Sequence, residues 1–405
     1  MKCAVLFDNF GPYHLARLNA AASVIEIIGI ETSAKSQEYP WEGGAEPRFQ
    51  RLTLYREANE PRRDCIERVS DSLCASHADV VAIPGWCDPT ALAALSYCSD
   101  SAIPAILMSE STAEDEPRVA WREQIKRRIV ALYSTALVGG QQHTEYLVQL
   151  GMPRERIFTG YDAVDNDHFA RSAKKVESKR EKVEGEYQLP ENYFLASARF
   201  IEKKNLHGLI RAYARYTQNL KSQLSAVSGQ LSKTWSLVIL GDGPLKSDLC
   251  SLISDLRLQD HILLPGFKQY NELPVYYGLA KAFVHASTTE QWGLVVNEAM
   301  ASGLPVIVSN RCGCVPELIQ DGVNGFTFDP SDEQELTSHL VALSAMPEEE
   351  RVKLGKASQR IVAGYGVERF ASGLKEAAEM ANTLPSKRAG FLDCALLAGL
   401  IKYPR

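Results

Sequence analysis

Glu290 and Glu298 bracket the stretch Glu290-Gln291-Trp292-Gly293-Leu294-Val295-Val296-Asn297-Glu298, which follows the apolar run Ala282-Phe283-Val284-His285-Ala286 and opens a helical pattern. Carboxylates accept hydrogen bonds from the vicinal hydroxyls of a sugar or ribose, and the free amides of a helix start favour phosphate oxygens. Both features at one spot suit a sugar joined to a nucleoside diphosphate. Arg199 ends the run Tyr193-Phe194-Leu195-Ala196-Ser197, and Lys204 follows just before another helical pattern, so two cations can converge on one diphosphate. Taken by themselves, the two cations read better as surface charges flanking a helix start. Joined to the glutamate segment, the pair reads better as part of a site.

Gly241-Asp242-Gly243-Pro244 directly follows Val238-Ile239-Leu240 and supplies a tight turn into a helix with proline at its first position. A dinucleotide fingerprint would need a third glycine at the position of Lys246, so a nicotinamide or flavin cofactor loses its support, and no Walker loop occurs. No cofactor is expected. Phe267 in Pro265-Gly266-Phe267-Lys268 either lines a nucleobase or is a core aromatic. Gly303-Leu304-Pro305 and Cys312-Gly313-Cys314-Val315-Pro316-Glu317 shape strand ends.

The first half offers weaker candidates. Asn9-Phe10-Gly11-Pro12-Tyr13-His14 joins the first strand to the first helix, while Trp86 and Ser109-Glu110-Ser111 end or follow later strands. Gly11, His14, Trp86, Ser109 and Glu110 are therefore candidates to touch an acceptor or a donor sugar. His14 reads better as a packing or capping residue than as a catalytic one, having no visible acid or base partner. Asp165-Asn166-Asp167 has the look of an Asp-x-Asp metal motif, but one acidic tripeptide lacks convergent ligands, and no metal is expected.

Strand-like runs alternate with helix-length amphipathic segments throughout, which predicts the α/β class with parallel sheets covered on both faces. In the first half the strands are Cys3 to Phe7, Val24 to Ile30, Val80 to Ile83, Ala105 to Met108 and Ala136 to Val138. In the second they are Tyr193 to Ser197, Ser236 to Leu240, Ile262 to Leu264, Phe283 to Ala286 and Val306 to Val308, with helices starting near Asn205, Pro244, Glu272, Leu294 and Pro316. The charged run Lys174 to Lys182 has little to bury and is read as a linker. The expected division is residues 1–170, a linker over 171–190, a second domain over 191–365, and a helical tail over 366–405 packing back on the first domain. Gln218 to Lys233 is an expected exposed insertion. Two doubly wound domains would face a cleft at the carboxyl ends of their strands.

A chain of 405 residues with 45% hydrophobic and 23% charged content is long enough for two such domains. Its net charge of −6 gives no general attraction for a nucleic-acid backbone, so nucleic acid is excluded as a partner. Nine scattered cysteines fit reduced thiols in the cytosol. The start shows no secretion signal and no run long enough for a membrane span. Lys126-Arg127-Arg128, on an expected helix from Val119 to Tyr133, is either a solvated face or a peripheral membrane contact.

Ser197-Ala198-Arg199-Phe200-Ile201-Glu202-Lys203-Lys204-Asn205, then Gly241 to Pro244, then Glu290 to Glu298 with Ala299 to Ile307, and then Pro316-Glu317-Leu318-Ile319 with Asn324-Gly325, resemble the family-4 retaining glycosyltransferases of GT-B fold. The likeness spans about Tyr193 to Pro330; the N-terminal half resembles the family in layout. It implies that Arg199 and Lys204 bind the donor diphosphate and that Glu298 holds the ribose hydroxyls. It also implies that Glu290, with the backbone at Trp292, Gly293 and Leu294, holds the donor sugar and distal phosphate, without a metal. The family's layout further implies domain closure and a C-terminal helix crossing back to the first domain. Three positions depart from the pattern: Phe10-Gly11 stands where many relatives have two glycines, Ser109-Glu110-Ser111 where some have a histidine, and Asn205 where a glycine is common.

The expected activity is transfer of a sugar from a nucleoside diphosphate to the hydroxyl of a glycan, a lipid-linked or a small-molecule acceptor. Rivals are a nucleotide-sugar epimerase on the same fold, a glycoside hydrolase, and a non-catalytic nucleotide or glycan binder. A hydrolase needs its two carboxylates about 5 to 9.5 Å apart, whereas eight residues along one continuous helix would separate Glu290 from Glu298 by about 12 Å.

Overall fold

The computed structural model of the chain describes residues 1–34, 41, 44–57, 60, 64–226 and 234–402. They divide into two compact units, one from Met1–Asp165 with Tyr365–Arg405 and the other Asn166–Gly364. In the first unit, among the described residues, the strands are β1 (Lys2–Phe7), β2 (Glu26–Ser33), β3 (Gln50–Tyr55), β4 (Val80–Pro84), β5 (Ala105–Ser109), β6 (Thr135–Val138) and β7 (Ile157–Thr159). All pair in parallel in the order β3-β2-β1-β4-β5-β6-β7. The strands are Val-, Ile- and Leu-rich because both sheet faces are covered, with Ala4, Leu6, Val81 and Ile83 in one apolar cluster and Cys3, Val5, Val80 and Ala82 in the other.

The second unit repeats the plan with β8 (Tyr193–Ser197), β9 (Ser236–Leu240), β10 (Ile262–Gly266), β11 (Ala282–His285), β12 (Val306–Ser309) and β13 (Gly325–Phe328), in the order β10-β9-β8-β11-β12-β13. In each unit the order reverses beside the first strand, between β1 and β4 and between β8 and β11. Loops leaving such neighbouring strands run in opposite directions and open a crevice at their carboxyl ends.

Every expected strand forms, Tyr193–Ser197 and Ser236–Leu240 with their expected bounds and the others with ends shifted by one to three residues. The largest shift is in β2, which begins at Glu26 and not at Val24. The amides of Val24 and Ile25 still bond to Ala21 O at 3.0 Å, closing the preceding helix. The strand then runs on through polar Glu31-Thr32-Ser33, because buried Glu31 accepts hydrogen bonds from Arg51 Nε (2.8 Å), Thr53 Oγ1 (2.7 Å) and Phe10 N (3.1 Å). Edge strands β3, β7 and β13 were not expected; each is short or strongly polar, so apolar patterning does not reveal it.

The charged segment read as a linker is instead helical, in Asn166–Glu177 and Arg180–Tyr187. Phe169, Ala173 and Val176 recur at helical spacing beneath the Lys and Glu residues, and the first of these helices packs on Leu273–Leu279 of the same unit. Helix Leu206–Ala226 takes up residues 218–226 of the expected insertion; residues 227–233 lie outside the described residues. Within the first unit, helix Val367–Thr383 lies on Pro12–Ala21, with Thr135 Oγ1 donating to Ala377 O at 3.0 Å, and helix Phe391–Lys402 lies on Pro89–Asp100.

Gly241, which directly follows β9, has φ 124° and sits so close to the neighbouring loop that an added Cβ would fall 1.9 Å from Ala198 O. Glycine is needed there for both conformation and space. Gly241→Ala is expected to lower stability by at least about 2 kcal/mol in a denaturant titration, the scale of a strained-backbone substitution. A loss within experimental error would contradict the close approach.

Candidate functional site

The loops leaving β8, β9, β10, β11 and β12 all emerge at one edge of the second sheet, because its strands are parallel. Backbone hydrogen bonds tie them together. Phe200 N donates to Asp242 O (2.8 Å), Gly241 N to Gly266 O (3.0 Å) and Thr288 N to Lys203 O (2.8 Å). Glu290 N donates to Arg311 O (3.2 Å), and Gly313 N donates back to Glu290 O (2.9 Å). Arg199, Lys204, Gly241, Phe267 and Glu290 are thus carried by a single hydrogen-bonded rim.

Its centre spans the point of strand reversal. Lys204, at the end of the short turn Glu202–Lys204 after β8, forms an ion pair with Glu290 Oε2 in the loop after β11. The same carboxylate oxygen accepts from Ser287 Oγ at 3.3 Å and lies 3.4 Å from His285 Nε2, itself 3.2 Å from Ser287 Oγ. His285 and Ser287 are buried. Burial pushes the Glu290 carboxyl upward, but hydrogen bonding with His285 and the charge of Lys204 outweigh it and hold the group well below the usual carboxylate range. Burial, reinforced by Lys204 and opposed by Glu290, lowers the His285 pKa, so the imidazole is neutral at pH 7.

Gly293 follows with φ 102° and caps helix Leu294–Ala301, a left-handed conformation that favours glycine. The first amides of that helix have no acceptor inside it. An added Cβ at Gly293 would stand 3.5 Å from Glu290 Cγ and 3.7 Å from His285 Nε2, so the helix start and the carboxylate are immediate neighbours. The Trp292 side chain is buried, its indole Nε1 donating to Asn297 Oδ1 at 2.9 Å, so that only the backbone here is suited to a ligand. Glu298 lies inside the helix and Glu290 in the loop before it, so the two do not sit on one continuous helix. Glu298 is 1% exposed and accepts from Tyr277 OH at 2.7 Å.

The remaining candidates lie in the first unit, where an added Cβ at Gly11 would stand 3.9 Å from His14 Nδ1. Gly11 caps helix Pro12–Ala21. His14 packs its ring 4.4 Å from that of Phe7, and burial, with the charge of Arg17, pulls its pKa down to about 3, so it stays neutral. Trp86 is a core residue whose ring meets Tyr146 edge-on at 6.3 Å. Ser109 is buried and accepts from Ser111 N at 3.2 Å; Glu110 is half-buried beside it. Asp167 of the acidic tripeptide is exposed and paired with Arg171.

Sequence reasoning missed His285, Ser287 and Tyr277. His285 left a trace as the one polar residue in an otherwise apolar strand, directly before the glutamate loop. Tyr277 left none, since nothing in a helix 21 residues upstream points to Glu298.

Residues 177–361 match the family described as Glycosyl transferases group 1. The chain is 31% identical over 151 residues to the alpha-monoglucosyldiacylglycerol synthase of Acholeplasma laidlawii, covering 37% of this chain and 34% of that protein. It is 29% identical over 222 residues to the putative colanic acid biosynthesis glycosyltransferase WcaL of Escherichia coli strain K12, covering 53% and 49%. It thus spans no more than about half the length of these curated relatives. Among solved structures, Anabaena Alr3699/HepE with UDP and glucose superposes with a TM-score of 0.71 at 18% identity, covering 94% of this chain and 99% of that one. Sucrose-phosphate synthase from Thermosynechococcus elongatus gives 0.69 at 17% identity over 93% and 98%. These likenesses show the GT-B fold, with its two doubly wound parallel-sheet units.

Because the Glu290 pKa is depressed on folding, its ion pair contributes stability above the unfolded value near 4.5, and that contribution is lost as pH falls below it. Glu290→Gln is expected to be less stable than the parent by about 3–5 kcal/mol at pH 7, the scale of breaking a buried pair. In urea titrations the gap should shrink steadily below pH 4.5. A gap that is the same at pH 7 and pH 3 would contradict this account of the carboxylate.

Proposed function

We propose that this chain, whose residues 177–361 match the family described as Glycosyl transferases group 1, moves a sugar from a nucleoside diphosphate to an acceptor hydroxyl. The observation that carries the reading is the Lys204–Glu290 pair, set across the reversal point of the second sheet beside the start of helix Leu294–Ala301. Cation, carboxylate and free helix amides are the three kinds of group that a diphosphate joined to a sugar requires.

In this reading Arg199 and Lys204 bind the donor diphosphate. Glu290, with the backbone of Trp292, Gly293 and Leu294, holds the sugar and distal phosphate, and Glu298 accepts from the ribose hydroxyls. Gly241 and Phe267 line the nucleotide. Charge grows on the departing diphosphate as the sugar becomes cation-like, and the two cations with the helix N-terminus stabilise it. Those groups supply leaving-group stabilisation from the chain itself, which supports a metal-independent transfer. Retention of configuration is carried by the family resemblance, and no enzymic nucleophile is assigned. Gly11, His14 and Glu110 are proposed for the acceptor or sugar side; Trp86 and Ser109, being buried, could act there only by shaping it.

The acceptor is proposed to belong to glycan or glycolipid biosynthesis, as the names of the two curated relatives suggest. Nine free cysteines, in no disulfide, support a reducing, cytosolic setting. UDP and UDP-sugars are the first donors to try, since the Anabaena neighbour was solved with UDP.

A thermal-shift screen of nucleoside diphosphates should raise the melting temperature with one base preferred. With that donor, Arg199→Ala and Lys204→Ala are each expected to lower turnover by about 10²–10³-fold, the scale of losing one preorganised charge-stabilising contact. Turnover near the parent's in both variants, or an altered nucleotide sugar formed without any acceptor, would overturn the assignment.

A further inference from the structure

We propose that Lys281 is a covalent modification site, its amine taking an acyl group from a small acyl phosphate whose phosphate is held by Arg180 and Arg351. The inference concerns the second unit alone, at the amino ends of its strands, away from the rim at their carboxyl ends. It does not depend on the donor site proposed above.

Lys281 stands directly before β11, where the neighbouring strands β9, β8 and β11 start side by side. Its backbone amide donates to Tyr193 O at 3.0 Å. Tyr193 opens β8 and pairs with Ser236, the first residue of β9, while Phe194 pairs with Ala282, the first of β11. Two helices bring guanidinium groups to this edge. Arg180, the first residue of helix Arg180–Tyr187, reaches Leu279 O at 3.4 Å, two residues before Lys281 in the chain. Arg351, in helix Glu348–Val362, lies 5.0 Å over the ring of Trp235, which directly precedes β9.

Neither guanidinium is fully engaged. Arg180 uses Nη1 for Glu184 Oε1 (2.7 Å) and Leu279 O, and Arg351 uses Nη1 for Met346 O. Among the described residues, Nε and Nη2 of each have no hydrogen-bond partner. A planar fork of free N–H donors is what binds phosphate oxygens best. Lys281 is half-buried between these helices, and its ammonium has no hydrogen bond or ion pair among the described residues.

The charges acting on Lys281 are those of Arg180 and Arg351 against those of Glu348 and Glu184, and Glu184 is already paired with Arg180. Glu181, Glu186, Glu349 and Glu350 of the same two helices are exposed, Glu350 being paired with Lys353 at 2.8 Å. Burial and the two guanidinium groups outweigh the acids and hold the Lys281 ammonium below the usual lysine range. A larger share of the side chain is therefore the neutral amine, which is the nucleophile.

In the step itself the amine lone pair attacks the acyl carbonyl carbon. A C–N bond forms, the C–O bond to phosphate breaks, and phosphate leaves with the electron pair. The adduct's proton passes to water, leaving a neutral amide. Arg180 and Arg351 seat the phosphate before the attack and stabilise its charge as it departs. The product also removes one of three clustered cations, so the same repulsion favours it.

The test is incubation of the full chain with acetyl phosphate, with acetylation at each lysine followed by peptide mass spectrometry. Lys356 is the internal reference, being exposed and without an ion pair among the described residues. Lys281 is expected to react at least about fivefold faster than Lys356, less than one pKa unit's worth of extra neutral amine. Inorganic phosphate should slow Lys281 selectively, and Arg180→Gln should remove most of the preference. The inference is overturned if Lys281 reacts no faster than Lys356, if phosphate slows the two alike or neither, or if folded Arg180→Gln keeps the parent's preference. Phosphate competition uses the parent chain, so the test stands even where the variant does not fold.

Discussion

One ion pair organises the second unit. Lys204 and Glu290 are 86 residues apart in sequence, yet they meet because the loops after β8 and β11 leave adjacent parallel strands at the place where the sheet order reverses. A charge at that depth needs a counter-charge, and each partner supplies the other's. Without the lysine the Glu290 carboxylate would face desolvation with only neutral donors; without the carboxylate, Lys204 would have to leave the crevice for water. The pair therefore holds a cation in place at the crevice, and His285 with Ser287 keep the carboxylate pointed at the lysine.

The surrounding structure follows from keeping those two loops in register. Gly241 lets the β9 loop lie against Ala198, next to Arg199, and Gly241 N bonds in turn to Gly266 O before Phe267. The Arg311–Gly313 segment holds the backbone of Glu290 from the other side. Trp292 and Tyr277 fill the space behind, fixing the helix start and the Glu298 carboxylate respectively. Rigid strand ends carry short loops, and the loops carry chemistry.

Much of this was legible in the sequence for physical reasons. Buried parallel strands must be continuous apolar runs, so Tyr193–Ser197 and Ser236–Leu240 appear with their expected bounds. Charged residues next to strand ends stand out against those runs, which is how Arg199, Lys204 and Glu290 could be singled out. Edge strands such as β13 and the helices over 166–187 were hidden because a half-covered element needs only a few apolar positions. Phe169 and Ala173 were enough to bind a segment whose composition otherwise resembles a linker. Partners formed between distant elements, such as Tyr277 with Glu298, leave no local pattern at all.

The most direct measurement is a crystal structure of the chain with its preferred nucleoside diphosphate bound. The account predicts phosphate oxygens within hydrogen-bonding distance of the Arg199 guanidinium, the Lys204 ammonium and the amides at the start of helix Leu294–Ala301, with the ribose on Glu298. A nucleotide seated elsewhere, with the Lys204–Glu290 pair untouched, would contradict it.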